Sequence, residues 1–398
     1  MSMSPLIASG RLNPPEAPRW LGIMPNKPHQ RSDSVFHLET YSLAILEFDD
    51  QGRCYDRCQM AALSAELARL NGGDAIIIVF VHGWKHDGRS NDKNLDNFLK
   101  VLENVASQRG LGGPPVLGVF IAWRGLSLFG LGLENITFWD RKQAGLRISM
   151  GAPRELFGRL REFRRRRQEQ GGVPLLVIIG HSFGGMIVYS ALAQSLIEAA
   201  STPAGEIVPS FADLVLLANP AFEAVRYLPI HDLMVERDKG SYEQTQGPVF
   251  VSVTAINDLA TRIAFPLGMA IALGQERTRG REERQALIHT MGHLPWMRTH
   301  ALSTSPPANT NRPSSNVGGT WLERVQFDER NPFWVVSAAP EVVDGHNGIW
   351  TDPFRNFAQA LVTNNMQRAH LKRMAAMRLQ ASMGSGQPAP PPPEPDPT

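Results

Sequence analysis

One serine between two glycines is the residue best placed to do chemistry. The pattern Gly180-x-Ser182-x-Gly184 directly follows the apolar run 175–179. A serine at the tip of a sharp strand-to-helix turn projects its hydroxyl away from the sheet, and larger side chains two residues away would collide there. The helix that follows directs its first N–H groups at this point, which favours negative charge. The pattern predicts a nucleophilic serine, and the alternative is an ordinary glycine-rich turn.

Acyl transfer by a serine also requires a base, an orienting acid and hydrogen-bond donors for the oxyanion. The tripeptide His82-Gly83-Trp84 directly follows a second apolar run, 75–81. We expect the backbone N–H groups of Trp84 and Phe183 to be the oxyanion donors. His82 is a candidate for the wall of the substrate pocket. The alternative for His82-Gly83 is an ordinary turn at the end of a strand.

The order of these features along the chain resembles the α/β-hydrolase-fold serine hydrolases of the esterase and lipase type. An apolar strand, His82-Gly83, a helix, another strand and the serine motif follow one another. The resemblance spans about 76–361 and is strongest at His82-Gly83 and at 180–185. It implies a mostly parallel central sheet flanked by helices, and catalytic residues in the chain order Ser, then Asp or Glu, then His.

Two carboxylates are candidates for the acid, which the resemblance implies after a late strand. Asp258 follows the predicted strand 249–254 and matches the acid position of the family. Aspartate is also a favoured N-cap residue, so Asp258 could instead cap the helix that follows it. Glu223, after the preceding strand and Asn219-Pro220, is the rival, since some relatives use that position. The choice between the two carboxylates stays open at this point.

His346 is the candidate base. It follows the last predicted strand, 333–337, and precedes a long predicted helix. The interval between Asp258 and His346 is long for the family. Three other histidines lie in that interval and are out of pattern as bases: His289, His293 and His300.

The alternation of apolar runs with helical patterns predicts one α/β domain over 39–380. Residues 1–38 are punctuated by proline and are predicted to form an irregular arm, and the Pro-rich residues 381–398 a disordered tail. Two long insertions are expected to act as lids or binding loops. The first, 126–139, is a Gly- and Leu-rich loop. The second, 275–330, combines a charged helix with a Ser/Pro/Asn loop.

Apolar side chains of the first insertion, chiefly Phe129 and Leu131, are candidates for the wall of an acyl pocket. This insertion leaves the predicted sheet at the carboxyl end of a strand, where α/β proteins bind their ligands. Packing against a neighbouring helix is the alternative. The basic run 164–167 is interpreted as a solvated helix face, with contact to anionic lipid as the alternative.

Net charge, cysteine content and the pattern of the first residues limit the partners and the cellular compartment that we expect for this protein. A formal net charge of +2 is too small to imply binding to nucleic acid. Cys54 and Cys58 form no disulfide framework, and no second cysteine pair would complete a metal site. We expect no cofactor, no metal and no transmembrane segment. Because the first residues lack a signal-peptide pattern, we expect a cytoplasmic protein, with signal-independent export and peripheral contact with a membrane left open.

The function that these residues predict is hydrolysis of carboxylic esters, including lipid-like ones, through an acyl-enzyme. Hydrolysis of amides or thioesters is one alternative. A non-catalytic binding protein on the same fold is the other, because a fold alone does not determine function.

Overall fold

The computed structural model describes residues 34–70, 74–83, 86, 92–109, 112–123, 134–237, 242–266, 277–308, 311–327 and 330–385. Within these residues the strands are β1 (Val35–His37), β2 (Ser42–Phe48), β3 (Ile76–Val81), β4 (Val116–Trp123), β5 (Leu175–His181), β6 (Leu214–Ala218), β7 (Phe250–Ala255), β8 (His300–Ser303), β9 (Ser314–Val317), β10 (Thr320–Arg324) and β11 (Phe333–Ala338). The α-helices are α1 (Arg57–Arg69), α2 (Lys93–Gln108), α3 (Glu134–Met150), α4 (Ala152–Glu169), α5 (Phe183–Ala200), α6 (Leu228–Glu236), α7 (Arg281–Ile288) and α8 (Asp352–Ser385). Short helical turns of other types occupy Ala224–Tyr227, Ala260–Ala264, Met291–His293 and Pro295–Met297.

The strands form one sheet in the order β1-β2-β4-β3-β5-β6-β7-β11-β8-β10-β9. Every neighbouring pair from β2 across to β8 is parallel. Among the described strands, antiparallel pairing is confined to β1 at one edge and to β10 and β9 at the other. The prediction of a mostly parallel sheet flanked by helices is confirmed.

Helices cover both faces of the sheet, which explains why its strands are almost continuously apolar. Alternate side chains of β3 enter opposite cores: Ile77, Val79 and Val81 on one face, and Ile76, Ile78 and Phe80 on the other. The first core is completed by α1, α3, α4, α5 and α6, and the second by α2 and α8. Of the described helices, α5 alone is long and apolar enough to cross a membrane, and most of it is buried inside this core.

The chain reverses its direction of travel across the sheet at β3. From β3 it proceeds to β4 on one side, and it later returns to β5 on the other side. Ligands of open α/β sheets bind in the crevice that such a reversal leaves outside the carboxyl ends of the strands. The residues that follow these two strands are His82-Gly83 and Ser182, so the fold points to the same edge as the sequence motifs.

The second insertion differs from its prediction. The charged helix is present as α7, but the segment predicted as a Ser/Pro/Asn loop contains β8, β9 and β10, which extend the sheet. Gly318 and Gly319 join β9 to β10, and both have positive φ angles, 61° and 82°. Two consecutive glycines are a strong signal for a two-residue hairpin turn. Because β9 consists mostly of polar residues, a pattern of apolar runs does not predict it.

Three predicted boundaries also differ from the structure. β1 lies inside the segment predicted as an irregular arm, where it pairs with β2. α3 begins at Glu134, so the first insertion is partly helical rather than a loop. α8 continues to Ser385, past the predicted start of the disordered tail at 381. The rest of that tail, most of the arm, Phe129 and Leu131 lie outside the described residues.

Replacing two helical glycines by alanine tests the packing of α5 against β3. Gly184 lies in the contact between them, and Gly158 is the control. A Cβ atom on Gly184 would lie 2.1 Å from the carbonyl oxygen of Val81, a backbone atom that cannot move aside cheaply. A Cβ atom on the exposed Gly158 of α4 would meet nothing within 4 Å. We expect Gly158→Ala to raise the free energy of unfolding by about 0.5–1 kcal/mol, because glycine is unfavourable inside a helix. We expect Gly184→Ala to lower the melting temperature in thermal unfolding. A Gly184→Ala variant as stable as the wild type would contradict the close packing.

Candidate active site

Ser182 lies at the tip of the turn between β5 and α5 in a left-handed conformation, with φ 56° and ψ −121°. Such a conformation costs a non-glycine residue on the order of 1–3 kcal/mol and persists only where the surroundings enforce it. The N–H of Ser182 donates to the carbonyl of Ala218 at 3.1 Å, and its carbonyl accepts from the N–H of Ala221 at 3.1 Å. The segment at and after the end of β6 therefore holds the strained residue in place.

Three side chains from three strand ends meet beside this turn. Ser182 follows β5, Asp258 follows β7 and His346 follows β11. Oγ of Ser182 lies 2.8 Å from Nε2 of His346, and Nδ1 of His346 lies 2.8 Å from Oδ2 of Asp258. Asp258 is completely buried, whereas about a fifth of the His346 side chain, 22%, is exposed. The structure thus brings together the serine, the first-choice acid and the histidine named from the sequence.

Asp258 is held by four hydrogen bonds, two on each oxygen. Oδ1 accepts from the N–H groups of Ala260 at 2.9 Å and Thr261 at 3.1 Å. Oδ2 accepts from Nδ1 of His346 at 2.8 Å and from the hydroxyl of Thr261 at 2.6 Å. Burial acts to raise the pKa of Asp258, but the hydrogen bonds and charge of His346 and the bonds from Thr261 outweigh it and hold that pKa below its usual value. The carboxylate is therefore ionised at neutral pH.

The ionised carboxylate determines the tautomer of His346. A carboxylate only accepts hydrogen bonds, so Nδ1 of His346 carries a proton and donates to Asp258. In the neutral imidazole Nε2 then has a free lone pair and accepts the hydroxyl proton of Ser182. This is the protonation pattern that a general base needs.

Asn219 and His181 fix the backbone of the loop that carries His346. Nδ2 of Asn219 donates to the carbonyls of Gly345 and His346, each at 2.9 Å. Oδ1 of Asn219 accepts from the N–H of Ala255, at the end of β7. Nε2 of the buried His181 donates to the same His346 carbonyl at 2.9 Å. Sequence reasoning missed both roles, because neither contact is visible in a local pattern.

Glu223, the rival acid, does not contact His346. It forms a buried ion pair with Lys142 and a second one with Arg226, whose Nε lies 3.0 Å from Oε2. Burial acts to raise the pKa of Glu223, but the charges of Lys142 and Arg226 outweigh it and hold that pKa below its usual value. Glu223 is thus a partner of cations in the core, and Asp258 is the carboxylate that reaches the histidine.

His82, a candidate for the wall of the substrate pocket, lies in the core, and its place in a pocket wall stays a prediction. It is completely buried and its ring stacks on Trp123 at 5.7 Å. Nε2 of His82 accepts from the N–H of Trp123 at 3.1 Å, and Nδ1 donates to the carbonyl of Gly83 at 2.9 Å. Burial lowers the pKa of His82 to about 4, so the ring stays neutral. His82 therefore fastens the end of β3 to the end of β4.

Gly83, directly after His82, lies close against the serine. A Cβ atom on Gly83 would lie 2.8 Å from Cβ of Ser182, so glycine alone fits there. Trp84, the next residue, lies outside the described residues. Phe183 is the buried first residue of α5. The oxyanion donors named from the sequence stay a prediction.

The basic run in α4 is largely ion-paired. Arg164 pairs with Asp213 at 2.6 Å, and Glu162 pairs with both Arg165 and Arg166 at 2.8 and 2.6 Å. These contacts favour the interpretation as a helix face in water, in which each exposed pair adds little stability.

No protein-family model matches the chain, and no curated protein sequence matches it. Several solved structures are weakly similar to the chain, among them the following three. Phospholipase PlaB from Legionella pneumophila in complex with thio-NAD is 13% identical over 63% of this chain and 50% of that one, with a TM-score of 0.25. Another structure of PlaB is 11% identical over 73% and 60%, with a TM-score of 0.32. An uncharacterized protein from Pseudomonas aeruginosa is 12% identical over 81% and 52%, with a TM-score of 0.30. The chain thus spans half to three fifths of the length of these structures.

The two carboxylates should respond differently to loss of their charge. Asp258→Asn replaces one acceptor oxygen by an NH2 group and permits the wrong histidine tautomer, which costs on the order of 10⁴-fold in kcat in serine proteases. We expect a comparable loss here, measured with an activated ester. Glu223→Gln leaves Lys142 buried without its carboxylate, so we expect a loss of about 3–5 kcal/mol in the free energy of unfolding and no such loss of kcat. A larger loss of kcat for Glu223→Gln would reassign the acid.

Proposed function

We propose that this protein is a serine hydrolase of carboxylic esters with an α/β-hydrolase fold. The observation that carries the proposal is the unbroken contact from Oγ of Ser182 through the His346 ring to the buried Asp258. A strained serine at a strand-to-helix turn is expected where the hydroxyl must stand free of the sheet. The site also lies at the carboxyl edge of the parallel strands, where substrates bind in α/β folds.

The reaction proceeds in two halves. Oγ of Ser182 attacks the acyl carbon while Nε2 of His346 takes the hydroxyl proton, and Asp258 stabilises the resulting imidazolium. His346 returns that proton to the leaving alcohol as the ester C–O bond breaks, which leaves an acyl-enzyme. A water molecule then loses a proton to His346 and attacks the acyl carbon. His346 then returns this proton to Oγ of Ser182 as the bond between Oγ and the acyl carbon breaks, which releases the carboxylic acid and restores the Ser182 hydroxyl. The predicted N–H groups of Trp84 and Phe183 stabilise the oxyanion in both halves.

Apolar groups near the site support an acyl substrate with lipid-like character. Leu259 and Ile263, on the helical turn after Asp258, are 64% and 51% exposed, and Ile256 before it is 43% exposed. Leu259 and Ile263 are four residues apart and therefore share one face of that turn. On the sequence, the first insertion adds Phe129 and Leu131 directly after β4. An acyl chain that contacts such surfaces would remove them from water, at about 25 cal/mol for each Å².

Ser182→Ala tests the reaction itself. We expect the variant to lose labelling by a fluorophosphonate and turnover of carboxylic esters, because only the attacking oxygen is removed. Ser195→Ala, in the same helix, is the matched control and should keep both. A melting temperature close to that of the wild type would show that the fold is intact. Wild-type protein that is not labelled would favour a binding protein, and preferential turnover of amides or thioesters would change the substrate class.

The lipid-like substrate is tested at the first insertion. We expect Phe129→Ser combined with Leu131→Ser to shift the preference from long to short acyl chains, with little change in melting temperature, because the predicted pocket wall becomes polar. The measurement is kcat/KM across esters of increasing acyl length. A large drop in stability with an unchanged length preference would assign these side chains to core packing instead.

A further inference from the structure

We propose that Thr261 and His293 are positioning residues for Asp258, so that the contact chain from Ser182 continues beyond the carboxylate for two more side chains. Oγ1 of Thr261 lies 2.6 Å from Oδ2 of Asp258 and 2.8 Å from Nε2 of His293. Thr261 is almost completely buried and His293 is half-buried. The inference rests on the proposed function for its catalytic meaning, because positioning matters only if Asp258 orients a base.

The direction of each hydrogen bond follows from the number of protons. The ionised Asp258 has none to give, so the single hydroxyl proton of Thr261 is donated to Oδ2. The second contact of that hydroxyl must then receive a proton, which makes Nε2 of His293 the donor. Burial lowers the pKa of His293 to about 4, so the ring is neutral and protonated on Nε2 while His346 does its work.

The second insertion delivers His293 to this position. The helical turn Met291–His293 packs against β7 and β11. A Cβ atom on Gly292 would lie 2.2 Å from Oγ1 of Thr254 in β7, so the approach requires glycine. Nε of Arg298 donates to the Gly292 carbonyl at 2.8 Å and secures the turn. The part of the insertion around His293 therefore supports Asp258 through Thr261.

Thr261 controls how much negative charge Asp258 presents to His346, because both donate to the same oxygen. A hydrogen bond received from His293 polarises the Thr261 hydroxyl and strengthens its donation. Removing that donor leaves the carboxylate less firmly held and leaves more negative charge on Oδ2, the oxygen that His346 contacts. Within the described part of the chain, the other charged and titratable groups that act on this network are Arg262, Arg298, His289, His181 and, through His181, His86.

Two pairs of variants test the proposal, each with a substitution that keeps the hydrogen bond. Thr261→Val removes the hydroxyl at constant shape, and Thr261→Ser keeps it. His293→Ala removes the N–H donor, and His293→Gln keeps one near the position of Nε2. We expect Thr261→Val and His293→Ala to lower kcat about tenfold or more, with little change in KM. The first variant removes a donor from the buried carboxylate, and the second removes the donor that orients the Thr261 hydroxyl toward it. The Ser and Gln variants should recover most of that loss.

The pH profile separates positioning from a purely structural role. For Thr261→Val and His293→Ala we expect the acid limb of kcat/KM to move to higher pH, because Oδ2 of Asp258 presents more negative charge to the base. A purely structural role would lower activity by the same factor at every pH and in proportion to the fall in melting temperature. If Thr261→Val does not fold, the His293 pair carries the same comparison. An unmoved acid limb in His293→Ala would overturn the proposal.

Nitrogen-15 NMR of the histidine rings tests the network without any substrate. We expect His293 of the wild type to be protonated on Nε2. We expect the Nδ1–H resonance of His346, which reports its hydrogen bond to Asp258, to move in Thr261→Val and to stay near the wild-type position in Thr261→Ser. His293 protonated on Nδ1, or an Nδ1–H resonance of His346 that does not move in Thr261→Val, would overturn the proposal. Wild-type protein without esterase activity would instead refute the proposed function, so the two failures are distinguishable.

Discussion

The register of β5 between β3 and β6 is the constraint on which the site depends. Gly180 lies opposite Val81, and His181 lies opposite Ala218. This register places Ser182 at the level where β3 has just ended and where the Ala218 carbonyl can accept its N–H. A shift by one residue would turn every side chain of β5 to the opposite face. The positive φ angle of Ser182 is thus a consequence of strand pairing. The buried apolar side chains of β5 hold in place the strand that leads to this residue.

Pairing of β6 with β7 and of β7 with β11 extends this register to the strands that precede the other two site residues. Ala218 lies opposite Val253 of β7, and Thr254 lies opposite Ser337 of β11. The loops that follow these strands therefore leave the sheet at similar heights, and Asp258 and His346 reach one another across a single gap. Separation along the sequence has no bearing on this geometry. The long interval between acid and base accommodates β8, β9 and β10 at the far edge of the sheet.

The sequence contains enough information to predict the parallel strands and the serine turn, because both depend on local residue types. β3 and β5 are buried on both faces, so their apolar runs are unbroken. β9 is mostly exposed and polar, and its pairing with β10 comes from the fold rather than from its own pattern. The choice between Asp258 and Glu223 required distances, since both follow strands and both are acidic. Thr261 and His293 are ordinary residues in sequence and acquire their meaning only from what they contact.

Two asparagines join the loops of the acid and the base into one unit. Asn219 bonds to the His346 loop and to the end of β7. Asn257, next to Asp258, accepts from the N–H of Gly345 at 2.9 Å and donates to Asp344 at 2.8 Å. Displacement of one loop therefore moves the other with it, so the distance between the imidazole and the carboxylate changes little when the loops move. His181, next to Ser182, also donates to the His346 carbonyl, so the serine turn belongs to the same bonded unit, and a change at any one of the three strand ends is transmitted to the other two.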